Sequence, residues 1–124
     1  MKHTELSKII NHQPKLSVKF FQQQASLSEP VRDWLKSLPL EDKKAIGEDI
    51  KAAQYGWSLG LPLIDYLEGD IWEVRTKLTN RIARVLFVVE GSTMVLLHGF
   101  IKKNQKTPKQ ELNLAKERLK KLRG

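Results

Sequence analysis

Cysteine is absent from the 124-residue chain. That excludes disulfides, thiolate metal sites and a cysteine nucleophile, and it suits a reducing compartment. Histidine occurs only at His3, His12 and His98. The three are far apart in sequence, and none has a carboxylate at helical ligand spacing, so no metal site is expected. There is no phosphate-binding glycine loop and no nucleophile elbow, and nothing points to a cofactor. No segment reaches the ~20 apolar residues of a membrane span, and Met1–Pro14 lacks the apolar run of a signal peptide. The expectation is a cytoplasmic protein with no membrane association.

Hydrophobic residues make up 40% and charged residues 29% of the sequence, a globular composition of a length that suits one domain. The net charge is +8, and its placement is more informative than its size. Gly99–Gly124 carries nine basic and two acidic residues, whereas positions 1–98 are nearly balanced. A basic segment of this kind attracts phosphate backbones or an acidic partner. It also suits a well-solvated C-terminal helix, and charge alone does not separate the two.

Leu16–Phe21 alternates as a short strand, and Thr4–His12 has the spacing of a loose helical turn. Ser28 is placed to cap a helix with Pro30 in its first turn. Val31, Trp34, Leu35 and Leu38 then form one apolar face. Pro39 ends that helix, and a second one is expected over Leu40–Gln54, making a helical hairpin. Its carboxylate pairs Glu41-Asp42 and Glu48-Asp49 read as a solvated face. Tyr55–Leu67 reads as an ordered loop pinned to the core, with a short edge strand at its end. An aromatic platform for stacking bases is the functional alternative there.

Ile71–Leu78 alternates strictly, with Trp72, Val74, Thr76 and Leu78 on one face and Glu73, Arg75 and Lys77 on the other. Arg81–Val89 is a β-branched run typical of an interior strand. Glu90-Gly91-Ser92 turns the chain into a third strand over Thr93–Ile101. Thr107-Pro108-Lys109-Gln110 reads as a capping box opening a last helix striped by Leu112, Ala115, Leu119 and Leu122. The order β-α-α-β-β-β-α predicts an α+β fold, a small antiparallel sheet packed by an N-terminal helical hairpin and a C-terminal helix. Residues 1–15 form an extension and 16–124 the domain.

The candidate chemistry is basic. Arg75 and Lys77 share the polar face of one strand. Arg81 and Arg84 lie an odd number apart on the next, which sends them to opposite faces. Arg84 sits inside an apolar run and needs an acidic partner, Glu73 being one, or an open groove. His98 ends an apolar strand, where it is either a satisfied core residue or a reachable general acid or base. Lys102, Lys103 and Lys106 follow it as phosphate grips.

The segments AIGEDIKAAQYGWSLGLPL, IWEVR, RIARVLFVVEG and VLLHGFIKKNQKTPKQELNLAKERL together resemble the HigB-like, phage-related branch of the RelE/ParE toxin superfamily, from about Leu16 to Leu122. The resemblance implies the toxin of a type II toxin–antitoxin system. It implies a ribosome-dependent endoribonuclease that cleaves mRNA in the ribosomal A site without a metal or cofactor. A cognate antitoxin of helix-turn-helix type would neutralise it, and only through that antitoxin would the toxin meet operator DNA. The matched positions make Arg75, Arg84, His98 and Lys103 the catalytic candidates, and Lys77, Arg81, Lys102 and Lys106 the RNA-binding ones. Relatives that cleave mRNA often carry a tyrosine near the C-terminal helix. No tyrosine follows Tyr66 here, which leaves His98 or a lysine to move protons. The superfamily also includes inhibitors of DNA gyrase, and a non-catalytic RNA-binding module is a further alternative.

Overall fold

The computed structural model describes residues 13–57, 62–103 and 106–124. The chain runs β1 (Ser17–Phe20), α1 (Pro30–Ser37), α2 (Leu40–Gly56), β2 (Ile64–Glu68), β3 (Ile71–Leu78), β4 (Arg81–Glu90), β5 (Thr93–Lys102) and α3 (Lys109–Arg123). The turn expected over Thr4–His12 lies outside the described residues.

The fold is α+β, but the sheet is mixed rather than purely antiparallel. Its five strands lie in the order β1-β5-β4-β3-β2. β3, β4 and β5 form the expected antiparallel meander, and β2 adds an antiparallel edge. β1 pairs parallel with β5, Ser17 opposite Thr93 and Phe20 opposite Leu96. A parallel partner that arrives from the far end of the chain leaves no local sequence signal. It is held from outside as well: Lys15 N–H donates to the Gln54 carbonyl at 2.9 Å, and the Gln54 side-chain amide donates to the Leu16 carbonyl at 3.0 Å. The apolar run of β4 occupies the middle of the sheet. Val85, Leu86, Phe87 and Val88 are fully buried there, because helices cover both faces.

The helical hairpin covers one face. Val31, Trp34 and Leu35 of α1 and Ile46, Ile50 and Ala53 of α2 pack on Val74, Val85, Phe87, Met94 and Leu96. The two helices part at Leu38, held extended by Pro39 at φ −85° and ψ 157°. Trp57 meets Trp72 and Phe87 edge-on at 5.1 and 5.8 Å, so it belongs to this core. The first helix begins one residue later than expected: Glu29, not Ser28, is its N-cap, and the Ser28 hydroxyl bonds Ser26 instead. The second helix runs on to Gly56.

The stripe Leu112, Ala115, Leu119 and Leu122 of α3 covers the other face, over Phe21, Ile71, Leu86, Val88, Val95 and Leu97. This helix also starts one residue later than expected. Pro108 is the N-cap, and no side chain caps the helix. The Thr107 hydroxyl is taken by a long-range partner described below. Among the described residues, no helix is long and apolar enough to cross a membrane.

Candidate nucleic-acid interface

Register sets the chemistry of the face under α3. Cross-strand partners in an antiparallel sheet share a face, so three rows run across β3, β4 and β5. These are Lys77–Ile82–Lys102, Arg75–Arg84–Phe100 and Glu73–Leu86–His98. With strands about 4.8 Å apart, the backbones of Lys77 and Lys102 are about 10 Å apart. Along the strands this face changes from apolar, where the stripe of α3 covers it, to charged, where α3 begins.

His98 reaches this face because of a bulge. Phe87 pairs with Leu96 and Leu86 with His98, so Leu97 is the extra residue. Strict alternation from Met94 and Leu96 would have turned His98 toward the helical hairpin. The same shift turns Gly99 toward the hairpin, where Trp34 lies so close that an added Cβ would stand 2.3 Å from its ring.

Once on the α3 face, His98 is tied down. Its Nε2–H donates to Glu111 Oε1 at 2.6 Å, and Nδ1 faces the Arg118 guanidinium at 3.3 Å. Arg118 also donates to the Leu97 carbonyl at 2.8 Å. The His98 ring stacks on Phe100 at 5.6 Å. Burial lowers the His98 pKa and the Arg118 charge adds to that, against the opposing pull of Glu111. The imidazole is thus neutral at pH 7 and works as a clamp between β5 and α3.

Arg84 is fully enclosed, and Glu73 is almost so, at 2% exposure. Arg84 Nε stands 3.6 Å from Glu73 Oε1, the ion pair that an arginine inside an apolar run demands. Thr107 completes the arrangement by donating its hydroxyl to the same carboxylate oxygen at 2.5 Å. A buried carboxylate holds this hydroxyl more strongly than an exposed helix end can, which explains the missing cap on α3. Burial raises the Glu73 pKa despite Thr107 and Arg84, and burial lowers that of Arg84 despite Glu73.

The accessible cations surround this buried pair. Arg75, directly opposite Arg84, is about one-third exposed and bridges to Asp65 of β2 at 3.1 Å. Lys77, Lys102, Lys103 and Lys106 are exposed, with Lys102 only 3.9 Å from Glu111 Oε2. Beside Arg75 and Lys77 lies a groove of about 570 Å³, lined by Asp49, Pro62, Leu63, Arg75, Lys77 and Ile82. Among the described residues, no group of three His, Asp or Glu side chains is placed to hold a metal ion.

The structure therefore brings Arg75, Lys77, Arg84, His98 and Lys102 onto one face, with Lys103 and Lys106 in the connection that follows. Arg81 stands apart. It faces the hairpin and grips Asp42 of α2 through two guanidinium nitrogens at 3.2–3.3 Å. Asp42 is correspondingly buried rather than part of a solvated face. Sequence reasoning missed Thr107, Glu111, Arg118 and Asp65 as partners, since each reaches its contact across elements. A second groove, of about 400 Å³, lies between the β2–β3 turn and the end of α3. Its charges neutralise one another, Lys116 with Glu68 and Arg123 with Asp70.

A family model described as phage-derived protein Gp49-like (DUF891) matches residues 33–120. That span holds every residue of the three rows. No curated protein matches the chain.

Proposed function

The chain belongs to the Gp49-like family of phage-derived proteins, and from that premise we propose that it is the toxin of a type II toxin–antitoxin pair. In this reading residues 16–124 form a RelE-like unit, with 1–15 outside it, and the toxin is a metal-independent endoribonuclease acting on mRNA in the ribosomal A site. The observation that carries it is the grouping of Arg75, Lys77, Lys102, Lys103 and Lys106 at one end of the sheet, the arrangement a phosphate backbone requires.

The reaction is attack of a ribose 2′-oxygen on the adjacent phosphorus. The bond from phosphorus to the 5′-oxygen breaks, leaving a 2′,3′-cyclic phosphate and a 5′-hydroxyl. Arg75 stabilises charge on the phosphoryl oxygens, a contribution of about 3 kcal/mol for a well-placed donor. Lys77, Lys102 and Lys106 grip flanking phosphates. Lys103 or Lys77 supplies the leaving-group proton and solvent water takes the proton of the 2′-hydroxyl, because both ring nitrogens of His98 are engaged. Arg84, fully buried beside Glu73, acts as a positioning residue that fixes that carboxylate and the strand carrying Arg75.

The partner is a cognate antitoxin of helix-turn-helix type that lays acidic side chains over Arg75, Lys102, Lys103 and Lys106. It carries the pair to operator DNA. Complementary charge makes capture fast and salt-sensitive. A second reading, a non-cleaving inhibitor with gyrase or RNA as its target, is favoured by the engaged state of His98. Primer extension on mRNA from cells expressing the chain separates the two. New 5′ ends, lost with Arg75→Ala in a folded protein, are expected. Intact mRNA during growth arrest overturns the endonuclease reading.

A further inference from the structure

β3 outruns its edge partner. The β2 pairing ends with Arg75 N–H donating to the Leu63 carbonyl at 2.7 Å, and β3 continues to Leu78. The groove of about 570 Å³ lies beside that overhang, within the ~300–1,000 Å³ typical of small-ligand sites. It is not a uniformly basic surface. Arg75 and Lys77 stand on the strand, Pro62, Leu63 and Ile82 supply apolar walls, and Asp49 of α2 brings a carboxylate. The side chain of half-buried Asp49 forms no ion pair or hydrogen bond with any other described residue, and the same is true of the exposed Lys77 side chain.

A carboxylate is unfavourable in a groove that serves only to hold phosphate, because like charges repel. It becomes favourable when the ligand brings hydrogen-bond donors to it, and the bases differ sharply in this respect. The Watson–Crick edge of guanine offers two adjacent donors, N1–H and the 2-amino group, which match the two carboxylate oxygens. Adenine and cytosine each place an acceptor nitrogen next to their one amino group. Uracil flanks its single N–H with two carbonyls. Those edges are exposed only in single-stranded RNA.

We propose that the groove beside the β3 overhang is a guanine-reading subsite. Asp49 accepts from N1–H and the 2-amino group, the base lies against Leu63 and Ile82, and Arg75 and Lys77 hold the attached phosphate. The inference rests on the RNA reading above and gives it a base preference.

Binding of the four nucleoside 5′-monophosphates to the intact protein tests it, followed by calorimetry or by chemical-shift changes. GMP should bind about tenfold tighter than AMP, CMP or UMP, the discrimination of one two-point base contact. Asp49→Asn removes a negative charge and changes the donor pattern. It should abolish the GMP preference and leave AMP binding equal to or tighter than in the wild type. Lys77→Gln should weaken all four nucleotides by a similar factor. Equal binding of all four by the wild type overturns the subsite, as does a GMP preference that survives Asp49→Asn. The assay needs no cleavage. GMP selection with intact mRNA would therefore spare the subsite and remove the nuclease, and cleavage without selection would do the reverse.

Discussion

Replacing Arg84 with methionine removes the charge and keeps much of the side-chain volume. Arg84 is wholly enclosed, and its ion partner Glu73 is 2% exposed. The substitution therefore leaves a buried carboxylate without its counter-ion, which typically costs about 3–5 kcal/mol. Single domains are stable by only about 5–15 kcal/mol, so the loss is a large share of the total. It corresponds to a fall in Tm of roughly 10–25 °C for a chain of this size. Adding Glu73→Gln removes the stranded charge and keeps an acceptor for the Thr107 hydroxyl. The double variant should then recover to within about 2 kcal/mol of the wild type, since contacting residues couple by about 0.5–3 kcal/mol. Urea unfolding of the four proteins in the cycle gives the numbers directly. Under the proposed role of Arg84, which is to position Arg75 rather than to touch RNA, the double variant should also keep growth arrest on expression. The reasoning fails if Arg84→Met alone costs less than about 1 kcal/mol, or if Glu73→Gln deepens the loss. Abolished growth arrest in a stable double variant would instead move Arg84 into contact with substrate.

His98 binds a proton more weakly in the folded chain than in the unfolded one. Its contribution to stability is therefore fully present above the ordinary pKa of 6.5 and is lost as the pH falls below it. Urea midpoints measured at about pH 7.5 and about pH 5.5 should drop on acidification, and His98→Gln should flatten that drop. Glu73 has the opposite sign: its raised pKa gives stability at low pH that is lost as the pH rises through the folded value. The effect of His98 is thus best read as the difference between variant and wild type. Gly99→Ala should destabilise by about 1–3 kcal/mol through the clash with Trp34, and Trp34→Leu in the same chain should recover part of it in thermal unfolding. Changing Lys102, Lys103 and Lys106 to glutamine should lower the slope of log affinity for single-stranded RNA against log salt by about 2, at about 0.7 for each phosphate no longer neutralised. An unchanged slope would place the RNA elsewhere.

The elements were legible in the sequence because each repeats a local signal. Alternation over Ile71–Leu78, the β-branched run after Arg81, the turn at Gly91 and the break at Pro39 all act within a few residues. The same parity put Arg75 and Lys77 on one face and separated Arg81 from Arg84. The need of an enclosed arginine for an acid also pointed to Glu73. What escaped were interactions whose partners lie far along the chain. Thr107 and Pro108 have the local form of a helix cap, yet a buried carboxylate 34 residues away takes the hydroxyl. Asp42 and Asp49 look like solvated helix residues. Only the packing of α2 against the sheet puts one under Arg81 and the other in the groove.

Local backbone and side-chain preferences thus determined the strands and the helices, and composition the basic character of the last fifth of the chain. The tertiary structure decided which charges are usable. One inserted residue at Leu97 turned His98 toward Glu111 and Arg118, and one hydroxyl from just before α3 closed on Glu73, the partner of Arg84. A β-strand reverses its facing with every added residue, and a charge changes its role with burial. At these two places both were set by contacts between elements distant in the sequence, which local pattern does not record.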